Sequence, residues 1–138
     1  MAKGDDIREK LVGFAVSVMD LCDQLPKTTA GQHIADQLLR SGTSPAPNYA
    51  EARGAESSRD FVHKLGIVLK ELNEAEVCLP RRSPALAGRR RGIDILVRRN
   101  MVGDQSILQI REECKSLCRI IAASVRTANK NLGRIQRS

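Results

Sequence analysis

With three aromatic side chains in 138 residues (Phe14, Tyr49 and Phe61) and no Trp, the core has to be built from Leu, Ile, Val and Ala. That suits close helix packing and argues against a dense β-sandwich. The formal charge of +7 is lopsided: nine Lys/Arg against twelve Asp/Glu from Met1 to Leu79, then fourteen against four from Pro80 to Ser138.

The length fits one domain spanning 1–138 that needs neither disulfides nor metals to close its core. No apolar run approaches the length of a membrane span and no signal peptide is recognisable, so a soluble, cytoplasmic protein without membrane contact is expected.

A first helix is predicted over about 5–25, with Asp5 and Asp6 at the positive end of its dipole. Ile7, Leu11, Phe14, Val18, Leu21 and Leu25 recur at steps of four and three, which puts them on one stripe. Pro26 ends the run. A second helix is expected over 29–54, through Ile34, Leu38 and Leu39. Beyond Arg40 its seam turns small: Ser41, Gly42, Pro45, Tyr49 and Ala52. By propensity SGTSPAPN is a loop, yet the helical spacing persists across it. The expectation is one helix, kinked or interrupted at Pro45 and Pro47.

The third helix, 58–79, has an N-cap at Ser57 with Asp60 three residues on, and a seam of Phe61, Leu65, Val68, Leu72, Ala75 and Leu79. Pro80 stops it. The stretch 80–92, PRRSPALAGRRRG, is predicted to be a basic loop, followed by a short helix at about 93–102. The last helix, 104–131, opens at Asp104 and carries Ile107, Ile110, Cys114, Leu117, Ile121, Val125 and Ala128 before fraying towards Gly133. Four seams with almost no strand signal predict an all-α fold, an antiparallel up-down four-helix bundle.

Nothing points to catalysis. His33 and His63 are single, no phosphate-binding, hydrolase or zinc-protease motif is present, and Glu51 has no second acid beside it. Cys22, Cys78, Cys114 and Cys118 form no CxxC pair and read as small buried hydrophobes. Cys114 and Cys118 could supply two metal ligands, but neither histidine is spaced to complete a set. No cofactor, metal or catalytic residue is expected. At 100° per residue, Arg111, Lys115, Arg119, Arg126, Lys130, Arg134 and Arg137 fall within about 140° of one another, away from the apolar seam. Arg98 and Arg99 would supplement this cationic stripe. It suits phosphates of RNA or DNA with little sequence preference. It suits equally a solvated face or the acidic half of a neighbouring subunit.

The run NYAEARGAESSRDFVHKLGIVL, from Asn48 to Leu69, joins the second and third helices through a polar turn. With LLRSGTSPAP before it and CKSLCRIIAASVRTA later, it resembles the bacterial four helix bundle family, the intervening-sequence proteins of 23S ribosomal RNA. The pattern couples Arg40 to a Ser-Pro stretch, then to Asn48, Ala50 and Glu51, then to a Ser-rich turn and Phe61. The resemblance implies a four-helix bundle assembled as a ring-shaped homo-oligomer, a pentamer. A related branch, the accessory protein of diversity-generating retroelements, is a basic pentamer that binds a reverse transcriptase and nucleic acid. Asn48 and Glu51, near Arg40 and Arg53, would then form a polar network at the proline kink or a ligand or subunit contact. Val12, Val62, Leu108 and Ala122 lie off the seams, in keeping with an oligomer. Pro47 and the stretch 80–92 depart from the family pattern. An insertion and a local shift of reading frame would each produce the latter.

Overall fold

Hydroxyl side chains cap the starts of two helices. A computed structural model describes residues 3–79 and 104–137. Their secondary structure is entirely helical: α1 (Lys3–Gln24), α2 (Thr29–Thr43), α3 (Pro45–Arg53), α4 (Ser58–Cys78) and α5 (Asp104–Arg137). Thr28 caps α2, its Oγ1 accepting from the Gly31 amide at 3.1 Å. Ser57 caps α4 by accepting from the Asp60 amide at 3.1 Å, while Asp60 accepts from the Glu56 amide at 3.4 Å. Each cap satisfies an amide that the first helical turn leaves without a partner. The predicted loop 80–92, the predicted short helix 93–102, Arg98 and Arg99 lie outside the described residues.

α2 and α3 are one interrupted helix. Ser44 between them has φ −72° and ψ −32°, a right-handed helical conformation. What breaks is the hydrogen bonding, because Pro45 and Pro47 have no N–H to offer the carbonyls of Ser41 and Thr43. Hydroxyls bond back through this stretch: Ser41 to Gln37 O at 2.9 Å, Thr43 to Leu39 O at 2.6 Å, and Ser44 to Arg40 O at 2.6 Å. Such back-bonding bends helices. The polar network expected from Asn48 and Glu51 does not form among the described residues. Neither side chain hydrogen-bonds anything among the described residues, and the Ser and Thr hydroxyls reach the carbonyls of Gln37, Leu39 and Arg40 in the turn before the prolines.

Cross-helix pairs give the chain directions. Cys22 lies beside Ala35 and Val18 beside Gly42, while Arg53 reaches Asp5 near the start of the chain, so α2–α3 returns antiparallel along α1. Arg111 meets Glu76 and Leu79 whereas Cys114 meets Leu72, so α5 returns along α4. Four rods thus run up, down, up and down around one core.

That core holds the predicted seams: Leu11, Phe14, Val18 and Leu21 of α1, Leu38 of α2, Leu65, Val68 and Leu72 of α4, and Ile107, Cys114 and Ile121 of α5. Burying each aliphatic side chain contributes on the order of 1.5–3 kcal/mol. The small residues of α2 let α1 come close. A Cβ on Gly42 would stand 2.7 Å from both Val18 methyls, and one on Gly31 would collide with the Pro26 carbonyl.

α5 outgrows its neighbours. It has 34 residues, whereas α1 has 22. At the helical rise these correspond to lengths of about 51 Å and about 33 Å. α5 continues to Arg137, past the expected end near 131. Gly133 is absorbed as a lone interior glycine, and Arg134 and Arg137 in the last turn favour the negative end of the dipole. Ile121 is the last buried residue of this helix, and beyond it the side chains are half-buried or exposed.

Candidate nucleic-acid interface

The structure divides the predicted cationic stripe. Arg111 is only 4% exposed. Its guanidinium donates from Nη1 to Glu76 O at 3.2 Å and Leu79 O at 3.4 Å, and from Nη2 to Glu76 Oε1 at 3.1 Å. α4 has no basic residue in its last turn, so α5 supplies the cation that its terminal carbonyls favour. Arg111 is accordingly removed from the phosphate-facing set: it is a cap inside the bundle. A helical wheel places it at the edge of the arc nearest the seam, but cannot say that the end of α4 lies there.

Lys115 is half-buried and sits 3.9 Å from Glu112, which partly offsets its charge. Arg119, Arg126, Lys130, Arg134 and Arg137 are different. All five are exposed, and none makes an ion pair with any described residue. They span roughly 27 Å of helix axis. From Cys114 to Ser138 the sequence has six Lys/Arg and no Asp/Glu, so nothing on this part of α5 neutralises them locally.

The family-motif residues do separate work. Arg40 ties α2 to α4 by pairing with Glu71 at 3.5 Å and Glu74 at 3.2 Å. Arg53 bonds Asp5 at 2.6 Å and ties α3 to α1, a contact that holds the Asp5 carboxyl below its ordinary range. Asn48 is half-buried and Glu51 exposed. Phe61 is half-buried against the core. The four do not converge on one site.

Cys22 and Cys114 are packed rather than activated, whereas the hydrogen bond with Cys114 lowers Cys118. Burial pushes Cys22 up to about 11. Cys114 is raised by its hydrogen bond with Cys118 and by burial, and its Sγ lies 3.3 Å from Leu72 O. Among the described residues no group of three His, Cys, Asp or Glu side chains could hold a metal ion. None of the described helices is long and apolar enough to cross a membrane.

Sequence reasoning missed one feature, a pocket of about 430 Å³ at the end of the bundle where α5 begins to project. Tyr49 and Phe61 line it together with Ser124, Thr127 and Asn131. Its residues come from four helices, so no one-dimensional spacing announces it.

Comparison with known proteins agrees with this architecture. A crystallised protein of unknown function from the S23 ribosomal protein family of Bacteroides thetaiotaomicron superposes with a TM-score of 0.68 at 26% sequence identity. The match covers 91% of this chain and 99% of that one. No curated protein matches. The model of the 23S rRNA-intervening sequence proteins matches residues 5–83, the stretch that carries α1 to α4 and the Arg40-to-Phe61 motif. Spanning more than half of the sequence, that match makes this chain a member of the 23S rRNA-intervening sequence protein family.

Proposed function

We propose that the protein is a non-enzymatic, self-associating helical bundle that grips nucleic acid, alone or in a nucleoprotein, through the outer face of α5. The observation that carries this reading is the row of five exposed cations, Arg119, Arg126, Lys130, Arg134 and Arg137, without ion-pair partners among the described residues. Binding there releases condensed counterions from phosphates, a sequence-independent and salt-sensitive driving force. Phosphate contacts position a nucleic acid without reading its sequence.

Self-association is supported by a second surface. Val12, Val16 and Met19, at steps of four and three on α1, are all at least 40% exposed. The antiparallel register sets Leu39 of α2, itself 39% exposed, level with Met19. A ring-shaped pentamer, as the family resemblance implies, would cover such a patch and repeat the α5 row around its circumference. Light scattering at micromolar concentration tests this, and a monomeric mass would end it.

Replacing Arg119, Arg126 and Lys130 with Gln tests the phosphate grip. The slope of log affinity against log salt should become shallower by up to about 2.7 on duplex DNA, about 0.9 for each lost contact. The fold should be unaffected, because all three side chains are exposed. If the native protein is not retained on RNA or DNA even at about 50 mM salt, where screening is weak, the grip is refuted. A scaffold reading would then follow from exposed Asp20, Asp23 and Asp36, which could meet the α5 cations of another copy.

A further inference from the structure

The pocket at the root of the projecting α5 has the makings of a binding site. Ile7 of α1, Tyr49 of α3 and Phe61 of α4 contribute to its wall, so two of the chain's three aromatic rings meet there. Ser124, Thr127 and Asn131 of α5 supply polar groups. Ser124 donates to Ile120 O at 3.1 Å and keeps its acceptor capacity. Thr127 and Asn131 are exposed at the pocket's edge. Tyr49 is only 5% exposed, yet its hydroxyl makes no hydrogen bond with any described residue. A buried hydroxyl normally finds a partner, because leaving it unmade costs free energy. An apolar recess with a few polar groups converging on it is what small planar ligands occupy.

The position of the pocket says which ligand. Lys130 is the residue before Asn131. Arg134, two turns beyond Thr127, lies within about 20° of it around the helix. The polar edge of the pocket therefore borders the exposed cationic row, one helical turn away. That is the scale on which a nucleotide separates its phosphate from its base.

We propose that this pocket receives one unpaired nucleobase of the strand whose phosphates the α5 cations grip. Phe61 would cover a face of the base, while the Tyr49 hydroxyl, Thr127 and Asn131 would hydrogen-bond its edge. The proposal rests on the phosphate grip and narrows it, from any nucleic acid to one with bases free to leave the stack. Aromatic contact tolerates every base, so a preference for unpaired strands follows without a preference for sequence.

Tyr49 is the chain's single tyrosine and there is no tryptophan, so its fluorescence reports on the pocket alone. The experiment titrates the full chain with a twelve-nucleotide oligothymidylate and, separately, with an abasic strand carrying the same phosphates. Oligothymidylate is expected to bind about fivefold or more tightly than the abasic strand, since one stacked base is worth on the order of 1–3 kcal/mol. It should also quench Tyr49, which the abasic strand should not. Thr127→Val and Asn131→Ala, both at exposed positions, should bring oligothymidylate part of the way to the abasic level and leave abasic binding unchanged, because the aromatic wall remains. Equal affinities with unaltered emission would remove the base pocket and leave the phosphate grip standing. Retention of neither strand at low salt would remove both. Emission that follows protein dilution instead of added strand would overturn the base pocket and assign the cavity to a contact between copies.

Discussion

Arg111 and Arg126 belong to the same helix and the same predicted stripe, yet they meet opposite fates. Around Arg111, α5 is enclosed: Ile107, Ile110, Cys114, Leu117 and Ile121 pack on the core, and the guanidinium is spent on Glu76 and Leu79. Around Arg126 no side chain is fully buried, and the charge faces outward. A basic residue on an amphipathic helix is thus a structural clamp or an open contact according to what stands opposite. Helix phase alone does not separate the two.

The sharpest test of this contrast is to remove each arginine in turn. Arg111→Ala takes the guanidinium from Glu76 Oε1 and leaves the Leu79 carbonyl without its donor, while Glu76 O keeps the Leu79 amide, and should cost about 2–3 kcal/mol. Thermal unfolding would register that as a drop of many degrees. Arg126→Gln should stay within about 0.5 kcal/mol of the parent, as surface changes do. Equal effects would erase the distinction between the two halves of α5.

Glycine gives a second contrast of smaller size. Gly42→Ala drives a methyl into Val18. Overpacking of that kind should destabilise by about 1–3 kcal/mol. Gly133→Ala meets open space in the projecting part of α5. Alanine there favours the helix by about 0.8–1 kcal/mol. The gain should appear as slower amide exchange in the last turns of α5, with little change in global unfolding. Loss of stability at Gly133 would mean that something packs there.

Replacing Arg134 and Arg137 with Gln should leave the unfolding midpoint unchanged, because both side chains are exposed. The slope of log affinity against log salt should become shallower by up to about 1.8, about 0.9 for each of the two lost cations. A lowered midpoint would show that the projection is held by contacts.

The smallest expected effect is at Glu113, which faces α1 from the enclosed half. Burial raises its carboxyl above the ordinary range, against a weaker opposing hydrogen bond from Ser17. A raised folded value means that folding takes up a proton. The favourable contribution is therefore present below the unfolded value and is lost as pH rises through the folded one. Glu113→Gln should flatten this dependence and shift stability at pH 7 by no more than about 0.5 kcal/mol, upward. A fall in stability would show that the charged form is the one the groove favours.

Much of the fold was legible because helical burial is periodic. The α1 seam from Ile7 to Leu25 and the α4 seam from Leu65 to Leu79 are buried residue for residue. The small seam from Ser41 to Ala52 was also readable, since spacing survives a break in hydrogen bonding that local propensity would call a loop. The site was only partly legible. Arg119, Arg126, Lys130, Arg134 and Arg137 are exposed as their phase implied, whereas Asn48 and Glu51 join no network among the described residues and Arg111 turns inward.

By itself, then, the sequence determined which face of each helix is apolar, where the chain turns, and that the second half is cationic. Those properties follow from spacing, caps and composition, which act within a few residues. Only the tertiary structure decided which cation is internal and which are available, and that Tyr49, Phe61 and Asn131 share one pocket. Both outcomes depend on residues far apart in the chain, brought together because four unequal helices bury a common core and leave the longest one exposed at its end.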